Sequence, residues 1–184
     1  MNMLNSYRKF QTIERIGAII SGIGVFVLML FIVGDVLLRN VVGISIPGNF
    51  EIVQNYLLPV IVFPALAWVS ASGVMPNMDL LLPRLSDGAR NRTVMVIVGV
   101  EIVVIAIVLV ATTGFAIWNL AAGSSFLAGI SLLPQWPAQL LVPLGFLLLL
   151  IELCFVFAVN LQRDRAEFTV DVAEGAVEGE PSGL

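Results

Sequence analysis

Hydrophobic residues in this chain run in long uncharged blocks rather than in the short polar–apolar alternation of a half-buried strand. Ile16–Gly34, Ile52–Met78 and Ile102–Ile151 contain no Asp, Glu, Lys or Arg. About 20 apolar residues, rising about 1.5 Å each as a helix, cross the roughly 30 Å hydrocarbon core of a bilayer. The first two blocks therefore predict one span each, and the third is long enough for most of two helices and a turn. Charges, prolines, glycines and tryptophans set the boundaries, which predict helices at Ile16–Leu38, Glu51–Ser72, Thr93–Trp118 and Pro137–Val159. The links read as loops: Val41–Asn49 holds Gly43, Pro47 and Gly48; Gly73–Arg92 holds Pro76, Pro83 and Ser86-Asp87-Gly88; Leu120–Trp136 holds Gly123-Ser124-Ser125, Gly129 and Pro134. The expected fold is all-α, an integral membrane protein with four transmembrane helices. Residues 1–15 form an interfacial N-terminal segment, 16–159 the membrane domain and 160–184 a tail. With 184 residues, no water-soluble part is large enough to bury a core of its own.

The cations orient this bundle. Arg8, Lys9 and Arg15 precede the first helix, Arg84, Arg90 and Arg92 lie in the second loop, and Arg163 and Arg165 follow the last helix. Only Arg39 falls on the opposite side, so the positive-inside rule predicts cytoplasmic termini and a cytoplasmic middle loop. Trp118 and Trp136 then bracket an external turn, with Trp68 near the cytoplasmic end of the second helix, as interfacial aromatics are distributed. The first block is too long for a signal-peptide core and ends at Asp35–Arg39 without a small-residue cleavage site, so it reads as a retained anchor. The acidity lies in the last 21 residues, where Asp164, Glu167, Asp171, Glu174, Glu178 and Glu180 face one cation, Arg165. That segment lacks apolar periodicity and is expected to be a disordered, solvating tail. No basic patch for nucleic acid is present.

The residue inventory narrows the chemistry. The chain has no histidine and one cysteine, Cys154. A haem ligated through histidine or a zinc site cannot be assembled, and Cys154, inside an apolar helix, reads as a small packing residue. No nucleophile–base pair or glycine-rich phosphate loop is present either, so the chain reads as non-enzymatic, with no catalytic residues, cofactor or metal.

Ionisable groups in hydrocarbon cost several kcal/mol unless neutralised or paired, so the intramembrane carboxylates call for an account. Asp35 and Arg39 are four residues apart on one helix face and predict an ion pair, with Arg39 reaching to the interface. Glu51 follows the Pro47-Gly48-Asn49 turn and favours the positive end of the second helix, with Asn49 as the expected N-cap. Glu101 and Glu152 each lie about eight residues, hence roughly 12 Å, from the cytoplasmic ends of the third and fourth helices. Similar depth allows contact. They either hold protons or an ion, or are protonated or hydrogen-bonded against a neighbouring subunit, and the lack of other polar ligands at that depth favours the second reading.

Small residues and prolines describe packing. Gly17, Ser21 and Gly24 share a face of the first helix, while Ala18 and Gly22 repeat the small-xxx-small spacing that lets helices approach closely. Pro59 and Pro64 in the second helix and Pro143 in the fourth remove backbone donors and are expected to bend those helices. Asp79–Leu85 and Tyr7–Arg15 mix apolar residues with cations and could lie in the membrane interface.

Taken in order, these segments resemble a family. The Ile13-Glu14-Arg15 lead-in, the Asp35-Val36-Leu37-Leu38-Arg39-Asn40 exit and the Pro47-Gly48-Asn49-Phe50-Glu51 turn are similar to the small membrane subunit of tripartite ATP-independent periplasmic (TRAP) transporters, the DctQ-like family. Gly73 through Asp79, Leu80-Leu81-Leu82 and Arg84-Leu85 resemble its cytoplasmic loop. Leu133-Pro134-Gln135-Trp136 and Val142-Pro143-Leu144-Gly145-Phe146 resemble the approach to its last helix. The likeness covers about Ile13 to Val159 and departs where Met75 replaces a frequent histidine and Asn77 stands near a usual basic position. It implies a scaffold subunit in a multi-pass bacterial inner membrane complex. The implied partners are a large polytopic membrane subunit, which moves an organic acid using a sodium gradient, and a periplasmic solute-binding protein that captures it. Leu120–Gln135 and Val41–Asn49 are where the periplasmic partner could touch. Two other classes fit the residues alone: a self-associating small exporter or channel lined by Glu101 and Glu152, and an anchor subunit of a membrane complex.

Overall fold

The computed structural model describes residues 2–72 and 87–161. Four helices long and apolar enough to cross a membrane dominate it. Helix α1 spans Asn2–Val41 and α2 Asn49–Ala71, while α3 runs from Asp87 to Ala121 and α4 from Trp136 to Asn160. α1 begins 14 residues before the expected Ile16, because nothing between Asn2 and Ile16 breaks a helix: the stretch has no glycine or proline. Its 40 residues measure about 60 Å, twice the hydrocarbon thickness, so one end projects beyond the apolar layer. The loop motifs from Gly73 to Ser86 and the tail beyond Leu161 lie outside the described residues.

The helices pack in the order α1, α2, α4, α3. α1 and α4 both lie against α2, and α3 packs along α4. Hydrophobic burial gives little drive for this in a lipid solvent, so close backbone approach and polar contacts must hold the helices together. On α1 a line of buried or half-buried positions runs through Tyr7, Phe10, Glu14, Gly17, Ser21, Gly24, Leu28, Phe31 and Asp35. Their alternating steps of three and four residues form a coiled-coil-like seam. Residues off that seam, such as Ile16, Ile23, Phe26 and Met29, are exposed and meet lipid or another protein.

Both small-residue contacts fall on α2. A Cβ at Gly17 would sit 2.2 Å from the Pro64 carbonyl oxygen, and one at Gly145 of α4 would sit 2.5 Å from that of Phe63. These carbonyls belong to a 3-10 turn at Phe63–Ala65, which forms around Pro64 because proline cannot donate to the ladder. Just before Pro59, the helix widens into a π turn at Val53–Leu57, with the Leu58 N–H bonded to the Val53 carbonyl. α2 is thus a helix in segments, while α4 stays continuous through Pro143.

The loop expected between α3 and α4 is a β-hairpin. Strands β1 (Ser125–Ala128) and β2 (Ser131–Pro134) pair antiparallel, Phe126 opposite Leu133 and Ala128 opposite Ser131. Gly129 begins the two-residue turn at φ 61°, and Ile130 has no positive φ, which is the II′ pattern that matches strand twist. A single Gly-Ile turn between four-residue strands is too short to stand out beside the apolar helices.

Candidate functional site

Two polar centres lie at opposite ends of the bundle. At the end that carries the termini, Tyr7 and Glu14 on α1 face Glu152 on α4. The Tyr7 hydroxyl donates to Glu152 Oε1 at 2.9 Å. Glu14 is 1% exposed and Glu152 is fully buried. Their carboxyls lie within hydrogen-bonding reach of each other, and Glu14 Oε1 and Glu152 Oε2 have no other partner. A hydrogen bond between two carboxyls requires a proton on one of them. Burial first, and then the neighbouring Glu152, hold the phenol of Tyr7 well above its ordinary range, so it remains a donor. Around it pack Val94, Val98 and Val156, and the Phe155 ring stands 5.4 Å from that of Tyr7.

Similar depth allowed Glu101 to contact Glu152, but the groups that reach Glu152 come from α1. Glu101 is half-buried on α3 and is not among the groups that act on Glu152, whose partners are Tyr7 and Glu14. Depth alone could not choose between them, because the face that Glu152 presents is turned toward α1. The signal for Tyr7 and Glu14 was nonetheless legible. Continuing the Gly17–Ser21–Gly24 spacing backwards lands on Glu14, Phe10 and Tyr7.

At the opposite end, Asp35 is 3% exposed. Its Oδ1 accepts the Ile46 N–H at 2.7 Å, and its Oδ2 accepts Arg39 Nη2 at 3.3 Å. Arg39 Nη2 also lies 3.4 Å from the Ser45 hydroxyl, and the Asn49 side chain bonds toward Asp35. Asn49 is therefore not the N-cap: that position is Gly48, at φ 76°, without a side-chain cap bond. The left-handed conformation suits a glycine, and it turns Asn49 inward to Asp35. Glu51 sits in the first turn of α2 and its carbonyl accepts from Asn55 Nδ2 at 2.9 Å.

The hairpin seals this end. A Cβ at Gly48 would come within 2.5 Å of the Ala128 backbone, and one at Gly129 within 2.5 Å of Pro47. The π turn supplies the remaining fasteners: the Tyr56 hydroxyl donates to the Pro134 carbonyl, and Gln135 Nε2 donates to Asn55 Oδ1 at 3.2 Å. The Tyr56 and Phe126 rings stand 5.4 Å apart. Val41–Asn49 and Leu120–Gln135 thus form one surface. Exposed Trp118 and Trp136 flank the hairpin, and exposed Trp68 lies near the other end of α2.

Neither end assembles a metal cluster among the described residues. Residues 28–171 match the family model for tripartite ATP-independent periplasmic transporters, DctQ component. The chain belongs to this family. The match begins after the Ile13-Glu14-Arg15 lead-in and extends past Val159 into the acidic tail, so its limits differ at both ends from those read by resemblance. DctQ components are non-enzymatic parts of a membrane transporter. No curated protein and no solved structure matches the chain.

Proposed function

We propose that this DctQ component is the scaffold subunit of a sodium-coupled secondary transporter. On this reading a periplasmic binding protein captures an organic acid, and a large polytopic membrane subunit carries it. The observation that carries the proposal is the family match over residues 28–171. The geometry supports it. Among the described residues, Tyr7 and Glu152 join α1 to α4, and Asp35 joins α1 to the Ile46 backbone. The exposed apolar residues of α1 and α3, from Ile16 to Phe26 and from Val96 to Ile117, leave long helical surfaces for a large membrane partner and lipid. The excess of cations at the end bearing the termini supports a cytoplasmic location for that end, with the hairpin in the periplasm, where it can help dock the binding protein.

Affinity purification of the chain from its native membrane in mild detergent, followed by mass spectrometry, tests this reading. One large polytopic subunit is expected in equal amount. Recovery of the chain alone as a homo-oligomer would overturn it. A reporter fused after Leu184 should be active in the cytoplasm, and one inserted at Ile130 in the periplasm.

A further inference from the structure

Beside the Asp35 centre, a cavity of about 430 Å³ opens on the flank of the bundle, lined by Ile32, Arg39, Ser45, Ile46, Asn49 and Val53 among others. We propose that it binds the phosphate headgroup and upper acyl chain of a membrane phospholipid, with Arg39 as the phosphate ligand.

Three observations carry this. The first is the free capacity of Arg39. Asp35 is already compensated by the short backbone bond from Ile46 and the approach of Asn49, while its contact with Arg39 is a single 3.3 Å bond through Nη2. The Arg39 side chain is 64% exposed, and Asp35 is the only acid at ion-pair distance from it among the described residues. A guanidinium tethered by one nitrogen keeps most of its planar fork for a second anion, and phosphate oxygens match that fork.

The second is the polarity gradient. Arg39, Ser45 and Asn49 line the outer part of the cavity. Ile32 lies seven residues further into the membrane on α1, about 10 Å deeper, and Val53 lies one turn into α2 below Asn49. Polar groups above an apolar wall reproduce the order of headgroup and chain in a lipid leaflet, whereas free phosphate has no use for the apolar part.

The third is position. Arg39 stands two residues from the end of α1, at the same end of the bundle as Trp118 and Trp136. Aromatic residues of this kind sit at headgroup level, so the guanidinium is at the depth of lipid phosphates. Asp35 and the Ile46 backbone set the angle of the fork, and the lipid fills the space left between α1 and α2.

Native mass spectrometry of the purified full-length protein, titrated with phosphatidylglycerol or with inorganic phosphate, tests the proposal. Wild type should retain one phospholipid per chain. Arg39→Gln should retain it about tenfold more weakly and Arg39→Lys should recover part of the loss, since the charge returns without the fork. Ile32→Trp, which fills the apolar wall and leaves the ion pair alone, should also expel the lipid. It decides the matter if Arg39→Gln does not fold. Equal lipid retention by wild type and Ile32→Trp would overturn the proposal. So would binding of inorganic phosphate as tight as that of lipid, which would mark a free-anion site. A photoreactive group at Phe50, which also lines the cavity, that captures a protein subunit instead of lipid in native membranes would overturn it too. Co-purification of a large subunit does not depend on any of these outcomes, so the scaffold reading stands or falls separately.

Discussion

The Tyr7 hydroxyl and Glu152 Oε1 meet at 2.9 Å although 145 residues separate them in the chain. This bond ties the start of α1 to the last turns of α4, beside the contact between the Tyr7 and Phe155 rings. Removing it should loosen that end. Tyr7→Phe deletes the donor and leaves a buried carboxyl oxygen unsatisfied, at a cost of about 1–3 kcal/mol. Thermal unfolding of the protein in nanodiscs should register the loss. A double-mutant cycle of Tyr7→Phe with Glu14→Gln should be non-additive by about 0.5 kcal/mol or more, because both groups act on Glu152. Additive effects would show that Glu14 is not part of the cluster.

The three glycines Gly17, Gly145 and Gly22 should respond differently to alanine. At Gly17 and Gly145 the new methyl would meet a carbonyl oxygen of α2 at 2.2 and 2.5 Å, and backbone cannot swing aside as a side chain can. Each substitution should destabilise by about 1–3 kcal/mol through overpacking. Gly22 has nothing within 4 Å, so Gly22→Ala should be neutral or stabilise by up to about 1 kcal/mol through helix propensity. Melting temperatures of the three variants in one lipid check this order.

The ion pair is asymmetric, and its two halves should not cost the same. Asp35 is buried and accepts a backbone N–H, so Asp35→Ala strands the Ile46 donor and should cost about 1–3 kcal/mol. Arg39 is largely exposed, and Arg39→Gln should cost less than about 1 kcal/mol in detergent without added lipid. Equal losses would mean that the pair, rather than the Asp35–Ile46 bond, holds the α1–α2 corner.

The hairpin docks by backbone contact. Gly48→Ala and Gly129→Ala each combine a left-handed φ with a methyl 2.5 Å from the facing segment, whereas Gly43→Ala has the φ of 73° and open space. Gly43→Ala should show strain alone, about 1 kcal/mol. The other two should cost more and should raise proteolytic cleavage between Ser125 and Pro134, which reports detachment of the hairpin.

Much of this protein is determined by its sequence alone. Uncharged blocks of span length leave few alternatives in a bilayer, because an apolar backbone must satisfy its own hydrogen bonds there. The four helices, the Asp35–Arg39 spacing and the small-residue face of α1 are local facts that one stretch of chain carries by itself. Which faces meet is a different matter. Glu152 takes Tyr7 and Glu14 rather than Glu101 because of the rotation of α4 about its axis, and that rotation is set by Gly145 seating on the Phe63 carbonyl and by the other contacts along the helix. The hairpin and the inward turn of Asn49 likewise depend on the packing of Gly48 against Ala128, 80 residues away. Lipid solvates apolar faces almost uniformly, so hydropathy marks the spans without ranking their faces. Close backbone approach and paired polar groups distinguish one face from another, and those exist only once the helices are assembled.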